Sequence, residues 1–491
     1  MVFKRSTSVD IFTKQIKDYL SDDFIIVKKE TDIGVAIEKL KNEKKSVIIV
    51  HDNNLINGII TERDILNKIT FNADPKDRVD KFMSTPVQFV FEDDLLFHCI
   101  GQMRKYNFRH MPVLNSSNRV VGIIHLPAAL SAELGSLMES IDRVTTENTE
   151  AGIIKIKTEQ TDLAWKLYEE QVNPLDISYL LSFLNNVIYR RCIDLATERV
   201  AKKKIIKTIP NYCVLTMGSG GRMESYLHPD QDNGIIYETD NASEETLKNI
   251  DQYFYELANE FTILLDRAGI PLCKGDLMAT NPLWRKSLKN WKEQINNWVQ
   301  KPNDDSLRYM DMLYDFRAIY GDANLAKNLR NYLLNRLEES PQFLKYLYKR
   351  DEGTNAAIGF FGQFILEKED QENLGMLNLK HTGTLPLVES IRMYSMKNKV
   401  DSVSTLVRLS KLTALGVFTE SEEDFFRGAF KFLSNILLKN QIIRSKENKV
   451  IKNFIDPRFL TSREKSILKI YLKKIKDLKL KLKGDFGEEY V

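Results

Sequence analysis

The sequence predicts a multidomain α+β protein, and three observations support that fold class. The chain has 491 residues, which at roughly 100–200 residues per domain predicts about three domains. Its first third alternates β-branched runs with helical patterns, whereas its last third carries helical patterns almost throughout. Hydrophobic residues make up 43% and charged residues 28% of the chain, so global disorder, collagen-like repetition and a membrane channel are excluded.

The charges and cysteines exclude further classes. Lys and Arg number 71 against 68 Asp and Glu, so the net charge is only +3 and no nucleic-acid partner is expected. The four cysteines form no CxxC pair, which argues against a zinc site or a disulfide framework and fits a reducing compartment. The first residues lack an apolar signal region, and no apolar stretch approaches the roughly 20 residues of a membrane span. We therefore expect a cytoplasmic protein without a membrane partner.

Residues 18–135, which follow an N-terminal segment over residues 1–17, contain two copies of one unit. In each copy a helical pattern leads into a β-branched run, a polar turn and a second β-branched run. Gly58 and Gly122 occupy equivalent positions 64 residues apart. The repeat predicts a pseudo-twofold module in which the helices of two small sheets pack against each other. The predicted strands are Ser46–Val50, Ile56–Ile60, His110–Leu114 and Val120–Ile124.

One turn in the first copy carries a resemblance to a known family. Gly58-Ile-Ile-Thr-Glu-Arg-Asp64 resembles the ribose-binding signature of CBS domains, and Thr85-Pro-Val87 resembles the start of a second copy. The resemblance implies a tandem CBS pair that binds an adenine nucleotide, with Thr61 and Asp64 contacting the ribose hydroxyls. A hydroxyl and a carboxylate at such a turn can bind a diol, but the same two residues can also simply cap the helix that follows.

The second copy departs from that signature. His125 and Ala128 stand where the first copy has Thr61 and Asp64, so only one intact ribose site is expected. CBS pairs commonly associate with one another, and the resemblance therefore also implies a homodimer.

Residues 206–325 contain the motif that points to chemistry, after a helical connector expected over residues 136–205. The apolar run Tyr212–Met217 predicts a buried strand, and the glycine-dense turn Gly218-Ser-Gly-Gly-Arg222 follows it. Glycines let backbone amides approach a phosphate closely. In Asp230-Gln-Asp232 both carboxylates lie on one face of the next strand, where they suit one or two Mg²⁺ or Mn²⁺ ions beside a triphosphate.

This stretch resembles the nucleotidyltransferase signature of the polymerase-beta-type superfamily, Gly-Ser followed by Asp-x-Asp. It is more similar to the branch with the protein-PII uridylyltransferases, whose pattern is Gly-Ser-x-Gly-Arg-x-Glu, five residues and Asp-x-Asp. It is neither a Walker A loop nor a GxGxxG turn. The fixed positions are all present, as Gly218, Ser219, Gly221, Arg222, Glu224, Asp230 and Asp232.

The resemblance implies an enzyme that transfers a nucleoside monophosphate from a nucleoside triphosphate to a hydroxyl of a protein or a small molecule. Ser219, with the amides of Gly218 and Gly221, would hold the outer phosphates. Arg222 would add charge-assisted contacts, Glu224 would fix Arg222 or the loop, and the two aspartates would bind the metal ions. The alternatives are a catalytically silent nucleotide-sensing signalling protein and an RNA-modifying enzyme.

Enzymes of this superfamily often use a third acid, on a later strand, to deprotonate the acceptor hydroxyl. Residues 270–276 predict such a strand, which makes Asp276 the candidate catalytic base. The open alternative is an acid at a solvent-facing strand end. We interpret His228, inside the motif, as a turn residue rather than as a base.

Two features follow the motif. Trp284, Trp291 and Trp298 are spaced by seven residues, which predicts one buried face of a helix, with base stacking as the alternative. Asp315 and Arg317 resemble the acid-x-Arg helix that follows the transferase core in these families. They are expected either to contact the nucleotide or to form an ion pair on the helix surface.

Residues 326–491 predict an all-α C-terminal domain. The segment resembles the helical domain found with this transferase in CBS-containing signalling proteins, and Lys380 and Arg392 are its candidate functional residues. The lysine-rich tail from Arg463 to Lys483 predicts an amphipathic helix with a solvated basic face. Contact of that face with RNA or a membrane is the alternative.

Overall fold

Two three-stranded sheets of identical topology form the first of two units, residues 1–145, and a four-stranded sheet with many helices forms the second, residues 146–491. The structure is a computed structural model. It describes residues 15–52, 55–70, 73–94, 96–105, 108–115, 119–125, 149–169, 171–239, 243–351, 353 and 355–487. No helix in these ranges is both long enough and apolar enough to cross a bilayer.

The first unit confirms the predicted repeat. In each sheet the first strand pairs parallel with the second, and the second pairs antiparallel with the third. A helix joins the first two strands of each copy, as a parallel pair requires a crossover. The strands are β1 (Phe24–Lys28), β2 (Val47–Asp52), β3 (Leu55–Thr61), β4 (Val90–Phe91), β5 (His110–Leu114) and β6 (Val120–His125). The helices are α1 (Ile33–Asn42), α2 (Glu62–Asp64, continued by a π-helix over Ile65–Ile69) and α3 (Leu96–Lys105).

The two equivalent glycines occupy equivalent contacts. A Cβ atom on Gly58 would lie 2.1 Å from Sδ of Met83, and one on Gly122 would lie 2.9 Å from Cδ2 of Leu20. Met83 and Leu20 each precede a residue that forms an isolated antiparallel bridge beside the glycine. Ser84 bridges to Ile59 in β3, and Ser21 bridges to Ile123 in β6. The sequence repeat therefore has a packing cause, because neither position has room for a side chain.

The second unit is organised around a sheet in the order β10-β7-β8-β9. Neighbours pair antiparallel except for β8 and β9, which are parallel. The strands are β7 (Tyr212–Thr216), β8 (Asn233–Tyr237), β9 (Arg285–Ser287) and β10 (Arg317–Gly321). The helices before and around the sheet are α4 (Glu150–Glu169), α5 (Pro174–Ala201), α6 (Gly218–Arg222), α7 (Glu244–Arg267), α8 (Leu288–Gln300) and α9 (Asp304–Tyr314).

The predicted connector forms α4 and α5, which pack on each other, and α5 also packs on α7. Asn173 caps α5 through a hydrogen bond from the Leu175 amide at 3.2 Å, and Pro174 takes the first helical position. The part of the predicted connector over residues 136–148, like Ala128, lies outside the described residues.

The strand predicted over residues 270–276 is absent. The segment is irregular, and the strand beside β8 is β9 instead. The reason is local, because Pro271 cannot donate to a ladder and Asp276 has a left-handed φ of 56° in a turn closed by its amide on the Cys273 carbonyl at 3.1 Å. The buried Gln231 side chain holds this segment, since its Nε2 donates to the Ile270 carbonyl at 2.9 Å.

The predicted burial of the three tryptophans is confirmed, with one correction. Trp284 and Trp291 are fully buried, and the Trp291 indole donates to the Ile235 carbonyl at 2.9 Å. Trp298 is 9% exposed. Trp284 does not share a helix with the others, because it lies in a short 3₁₀ turn before β9. None of the three is available for base stacking.

The last third is helical, as predicted, and adds one short ribbon formed by β11 (Leu377–Asn378) and β12 (Phe454–Ile455). One hydrophobic core contains residues of the sheet and of these helices together. The amphipathic tail is confirmed, because Leu468, Leu472 and Leu482 are fully buried. The helices are α10 (Ala323–Glu338), α11 (Pro341–Asp351), α12 (Leu385–Lys397), α13 (Thr405–Ala414), α14 (Glu420–Lys446) and α15 (Ser462–Gly487), with a π-helix over Lys380–Thr384 before α12.

Gly221 lies against the backbone of the residue that follows α9. A Cβ atom there would lie 1.9 Å from the backbone oxygen of Asp315, which cannot move away as a flexible side chain can. We expect Gly221→Ala to lower the free energy of unfolding of the second unit by about 2–3 kcal/mol, because overpacking of this kind has no cheap relief. Scanning calorimetry of the full chain measures the change.

Gly484→Ala is the matched control for that substitution. Gly484 lies in α15 with nothing within 4 Å of its would-be Cβ atom, so alanine should leave stability equal or raise it by about 0.5–1 kcal/mol. Equal effects of the two substitutions would contradict the packing argument.

Candidate active site

The glycine turn and the aspartate pair come together at the ends of β7 and β8. The Met217 amide donates to the Asp232 backbone oxygen at 3.0 Å, which extends the β7–β8 pairing into the motif. Gly218 has a left-handed φ of 55°, and a Cβ atom on it would lie 2.8 Å from Oδ2 of Asp232. The predicted phosphate turn therefore lies directly against Asp232, one of the two predicted metal ligands.

The two aspartates share their position with a residue that the sequence did not single out. One ligand atom each of Asp230, Asp232 and Cys273 lie within 4.8 Å of one another. Burial and the negative charge of Asp230 raise the pKa of Asp232 to about 7. Burial and the charge of Asp232 raise the pKa of the Cys273 thiol to about 11. Cys273 comes from the irregular segment before Asp276, and no spacing signal in the sequence connects it to the pair.

The donor set fits a hard cation. Two carboxylates provide the oxygen ligands that Mg²⁺ and Mn²⁺ prefer, and they are already close together. The thiol of Cys273 stays protonated at neutral pH, so it is a poor ligand for such an ion. Asp230 and Asp232 are thus the two residues that could hold the metal.

Asp276 is not part of this group. Its side chain is exposed, and its Oδ2 accepts a hydrogen bond from Nδ2 of Asn281 at 2.8 Å. The strand beside β8, where a third acid would be expected, consists of Arg285, Lys286 and Ser287. The structure therefore does not bring Asp276 to the carboxylate pair, and its role as a base stays a prediction.

Arg222 is held by two acids. Its Nε donates to Oε2 of Glu224 at 2.7 Å, and its Nη1 donates to Oδ2 of Asp315 at 2.6 Å. Glu224 in turn accepts the Thr405 amide at 2.6 Å and the Thr405 hydroxyl at 2.9 Å. The prediction that Glu224 fixes Arg222 is confirmed. Two of the three guanidinium nitrogens of Arg222 are therefore occupied within the protein.

Asp315 is the centre of a buried network. Its side chain is fully buried and also accepts Nη1 of Arg392 at 3.0 Å and Nη1 of Arg408 at 2.6 Å. Burial alone would raise the pKa of Asp315, but the three arginines hold it well below its usual range. The expected surface ion pair with Arg317 is wrong, because Arg317 donates instead to the Gly221 carbonyl at 2.8 Å. Burial of Asp315 also excludes its direct contact with a nucleotide.

A cavity of about 290 Å³ opens where the motif meets the C-terminal helices. Ser219, Arg222 and Asp230 line it from the motif, and His228 lies in the bend before Asp230, as predicted. Lys380 is the predicted candidate from the C-terminal helices that lines the same cavity, whereas Arg392 belongs to the network of Asp315. The sequence did not single out the further lining residues, which are Tyr226, Pro229, Pro271, Thr384, Leu385, Val388, Phe430, Gln441, Ile451 and Asn453.

The connector helices hold the loop that leads to the aspartate pair. The buried ammonium of Lys157, in α4, donates to the Leu227 carbonyl at 2.9 Å and to Gln160 and Asn185 at the same distance. From α5, the Ser182 hydroxyl accepts the Ser225 amide at 2.9 Å. The position of this loop, and hence of Asp230, depends on where α4 and α5 lie.

In the first unit, Thr61 and Asp64 lie together at the end of β3. The Thr61 amide and hydroxyl donate to Oδ2 of Asp64 at 3.0 and 2.9 Å, which is the capping arrangement left open above. Oδ1 of Asp64 is bound by the Lys68 ammonium at 2.7 Å and the Ser84 hydroxyl at 3.2 Å. Burial would raise the pKa of Asp64, but Lys68 and Thr61 hold it below its ordinary value.

The second copy lacks this arrangement within its described residues. His125 takes the place of Thr61, and its Nε2 lies 3.4 Å from Oδ2 of Asp23. Its ring also contacts that of His110 edge-on, with centroids 4.8 Å apart. The position is therefore occupied by a histidine packed against its neighbours.

Comparison with known proteins gives the following matches. Residues 158–305 match the family model described as "Putative nucleotidyltransferase DUF294", and residues 341–486 match "Putative nucleotidyltransferase substrate binding domain". Residues 16–70 and 79–135 match the CBS domain. The first of these matches includes most of the connector helices.

Curated relatives match over about a fifth of the chain. An uncharacterised 17.7 kDa protein of Acidianus ambivalens is 32% identical over 102 residues, which are 21% of this chain and 62% of that protein. The uncharacterised protein MJ1225 of Methanocaldococcus jannaschii is 29% identical over 110 residues, which are 22% of this chain and 39% of that protein. The match thus spans less than two thirds of either relative.

Several solved structures that are similar to about a quarter of the chain are described as CBS-domain proteins. A CBS domain pair/ACT domain protein of Thermotoga maritima is 21% identical, with coverage of 25% of this chain and 99% of that one and a TM-score of 0.22. The CBS domain pair of protein MJ0100, in complex with 5′-methylthioadenosine and S-adenosyl-L-methionine, is 28% identical, with coverage of 23% and 91% and a TM-score of 0.22. By the family models, the chain combines two CBS domains with a domain of the DUF294 family and the C-terminal domain that accompanies it.

Proposed function

We propose that this chain is a metal-dependent nucleotidyltransferase that transfers a nucleoside monophosphate from a nucleoside triphosphate to an acceptor hydroxyl, as the resemblance to protein-PII uridylyltransferases implies. The observation that carries the proposal is the position of Asp232 against the glycine turn and close to Asp230, which lines a cavity that reaches the C-terminal helices. The acceptor is a protein or a small molecule that offers a hydroxyl.

The residues of the motif have separable tasks in this proposal. Asp230 and Asp232 would hold Mg²⁺ or Mn²⁺, which when bound neutralises negative charge on the phosphates as pyrophosphate departs. Ser219 and the amides of the turn would bind the outer phosphates. Arg222 and Glu224 keep the turn in place through their contacts with Asp315 and Thr405. The Ser219 hydroxyl and the amides of the turn would therefore not have to rearrange when the nucleotide binds.

A catalytically silent nucleotide sensor is the second candidate function. It is favoured by one observation, namely that Asp276 is bonded to Asn281 and is not beside the aspartate pair. Such a protein would bind the same nucleotide without turning it over.

Transfer of label separates the two functions. The full chain is incubated with each α-labelled nucleoside triphosphate, Mg²⁺ or Mn²⁺, and cell lysate, and released pyrophosphate and labelled acceptor are measured. We expect transfer that falls at least about a hundredfold in Asp230→Asn and in Asp232→Asn, because the metal loses a charged ligand. Asp424→Asn, which changes an exposed acid of α14, should retain full activity. Nucleotide binding without turnover under either metal would overturn the enzyme and support the sensor.

Because the pKa of Asp232 is raised, the stability of the metal-free folded protein should depend on pH. Its folded pKa of about 7 lies above the value of about 4 in an unfolded chain, so the folded state binds more protons and loses stability as the pH rises from about 4 to about 7. Asp232→Asn removes this titration. In the presence of a chelator, the variant should gain thermal stability relative to the wild type across this range, with no further gain above it.

The control for that experiment is the metal itself. Added Mn²⁺ at pH 8 should raise the unfolding temperature of the wild type and leave that of Asp232→Asn nearly unchanged. A difference between variant and wild type that does not depend on pH would contradict the assignment of the raised pKa.

We further propose that the CBS pair binds an adenine nucleotide and regulates the transferase. Thr61 and Asp64 would contact the ribose, and the ligand would have to displace Lys68 or share Asp64 with it. Such a ligand can act only if it favours one of two arrangements of the chain over the other. Helix α4 is the first described element after the first unit, and Lys157 connects it to Leu227, three residues before Asp230.

Titration calorimetry of the full chain with AMP tests nucleotide binding by the CBS pair. We expect binding that weakens at least about tenfold in Asp64→Ala, because the ribose loses its charged acceptor. Glu62→Ala, which removes the exposed acid two residues earlier, is the matched control and should bind as the wild type does. Absence of AMP, ADP and ATP binding at this unit, or equal AMP affinity of Asp64→Ala and Glu62→Ala, would overturn the proposed role of the CBS pair.

A further inference from the structure

Lys380 is fixed in the cavity by the ribbon that precedes it. The Leu379 amide donates to the Asn453 carbonyl at 3.1 Å, in line with the pairing of β11 and β12. The following π-helix is anchored in turn, because the Ala357 amide donates to the Thr382 carbonyl at 3.0 Å. The backbone at Lys380 is therefore well supported on both sides, while its half-buried side chain lines the cavity together with Ser219 and Asp230.

The charges around the cavity leave Lys380 as its available cation. Arg222, which the sequence assigned to the phosphates, already donates to Glu224 and Asp315. Within the described part of the chain, no carboxylate forms an ion pair with Lys380. Lys380 lines the same cavity as Asp230 of the metal-binding pair.

We propose that Lys380 binds the phosphates of the nucleoside triphosphate, the task that the sequence assigned to Arg222. The proposal rests on the proposed nucleotidyltransferase function and names the residue of the C-terminal helices that takes part in substrate binding. An ammonium group on a flexible stem can follow the phosphates, whereas a guanidinium locked between two acids cannot. A cavity of about 290 Å³ fits a small ligand rather than a protein segment.

The two sides of the cavity come from different parts of the second unit. The glycine turn belongs to the sheet region and Lys380 to the C-terminal helices, so one bound triphosphate would contact both. Loss of Lys380 should therefore weaken the binding of every nucleoside triphosphate to a similar extent, because the phosphates are common to all of them. A residue that contacts the base would instead affect one nucleotide more than another.

Binding of inorganic tripolyphosphate to the full chain tests this assignment without knowledge of the base. Calorimetric titration in the presence of Mg²⁺ should show affinity that falls at least about tenfold in Lys380→Met, which keeps the stem and removes the charge. Lys380→Arg should restore most of the affinity. Lys327→Met, which changes an exposed lysine of α10 outside the cavity, is the matched control and should bind normally. Unfolding temperatures of all variants verify that they are folded.

The outcomes separate this proposal from the one on which it rests. Loss of affinity in Lys380→Met alone, with recovery in Lys380→Arg, supports the assignment. Equal tripolyphosphate affinity in Lys380→Met and wild type overturns it and leaves the transferase function standing. Failure of the wild type to bind tripolyphosphate and all four nucleoside triphosphates overturns both.

Discussion

The geometry of the site depends on one buried carboxylate. Asp315 is fully buried and shared by three guanidinium groups, those of Arg222, Arg392 and Arg408. Three cations around one anion would leave excess positive charge, but Glu224 pairs with one of the arginines and Asp311 lies 3.3 Å from another. Removing any partner would leave a buried charge uncompensated, which costs about 3–5 kcal/mol. The network therefore requires that the motif and the C-terminal helices dock in one arrangement.

That requirement explains why the cavity has two origins. The motif and Pro271 supply one side of the cavity, and the C-terminal helices together with the segment before β12 supply the other. The Gly221 backbone touches the Asp315 backbone, Arg317 holds the Gly221 carbonyl, and Glu224 caps α13 through Thr405. Each contact connects a residue of the motif to a residue far away in sequence. A nucleotide bound at the motif, as proposed, would therefore contact both parts of the second unit.

The sequence predicted what local chemistry determines. The repeat, its strands, the buried tryptophans and the closeness of the glycine turn to Asp230 and Asp232 depend on short-range patterns, and the structure has them. The network around Asp315 could not be predicted, because its partner Arg222 lies 93 residues away and nothing in either segment indicates the pairing. The strand over residues 270–276 was predicted from its apolar residues, but Pro271 and the left-handed Asp276 outweigh them.

Long-range contacts also distinguish the two basic residues of the cavity, Arg222 and Lys380. A motif that places Arg222 beside a glycine turn suggests phosphate contact, yet an arginine in that position is also the residue best able to bridge two acids with its planar fork. Here Arg222 bridges Glu224 and Asp315, and these contacts stabilise the glycine turn rather than a bound ligand. In the proposed transferase, positive charge beside the triphosphate would then have to come from another residue. Lys380, which lines the same cavity as Asp230 and follows the β11–β12 ribbon, is the residue proposed to supply that charge.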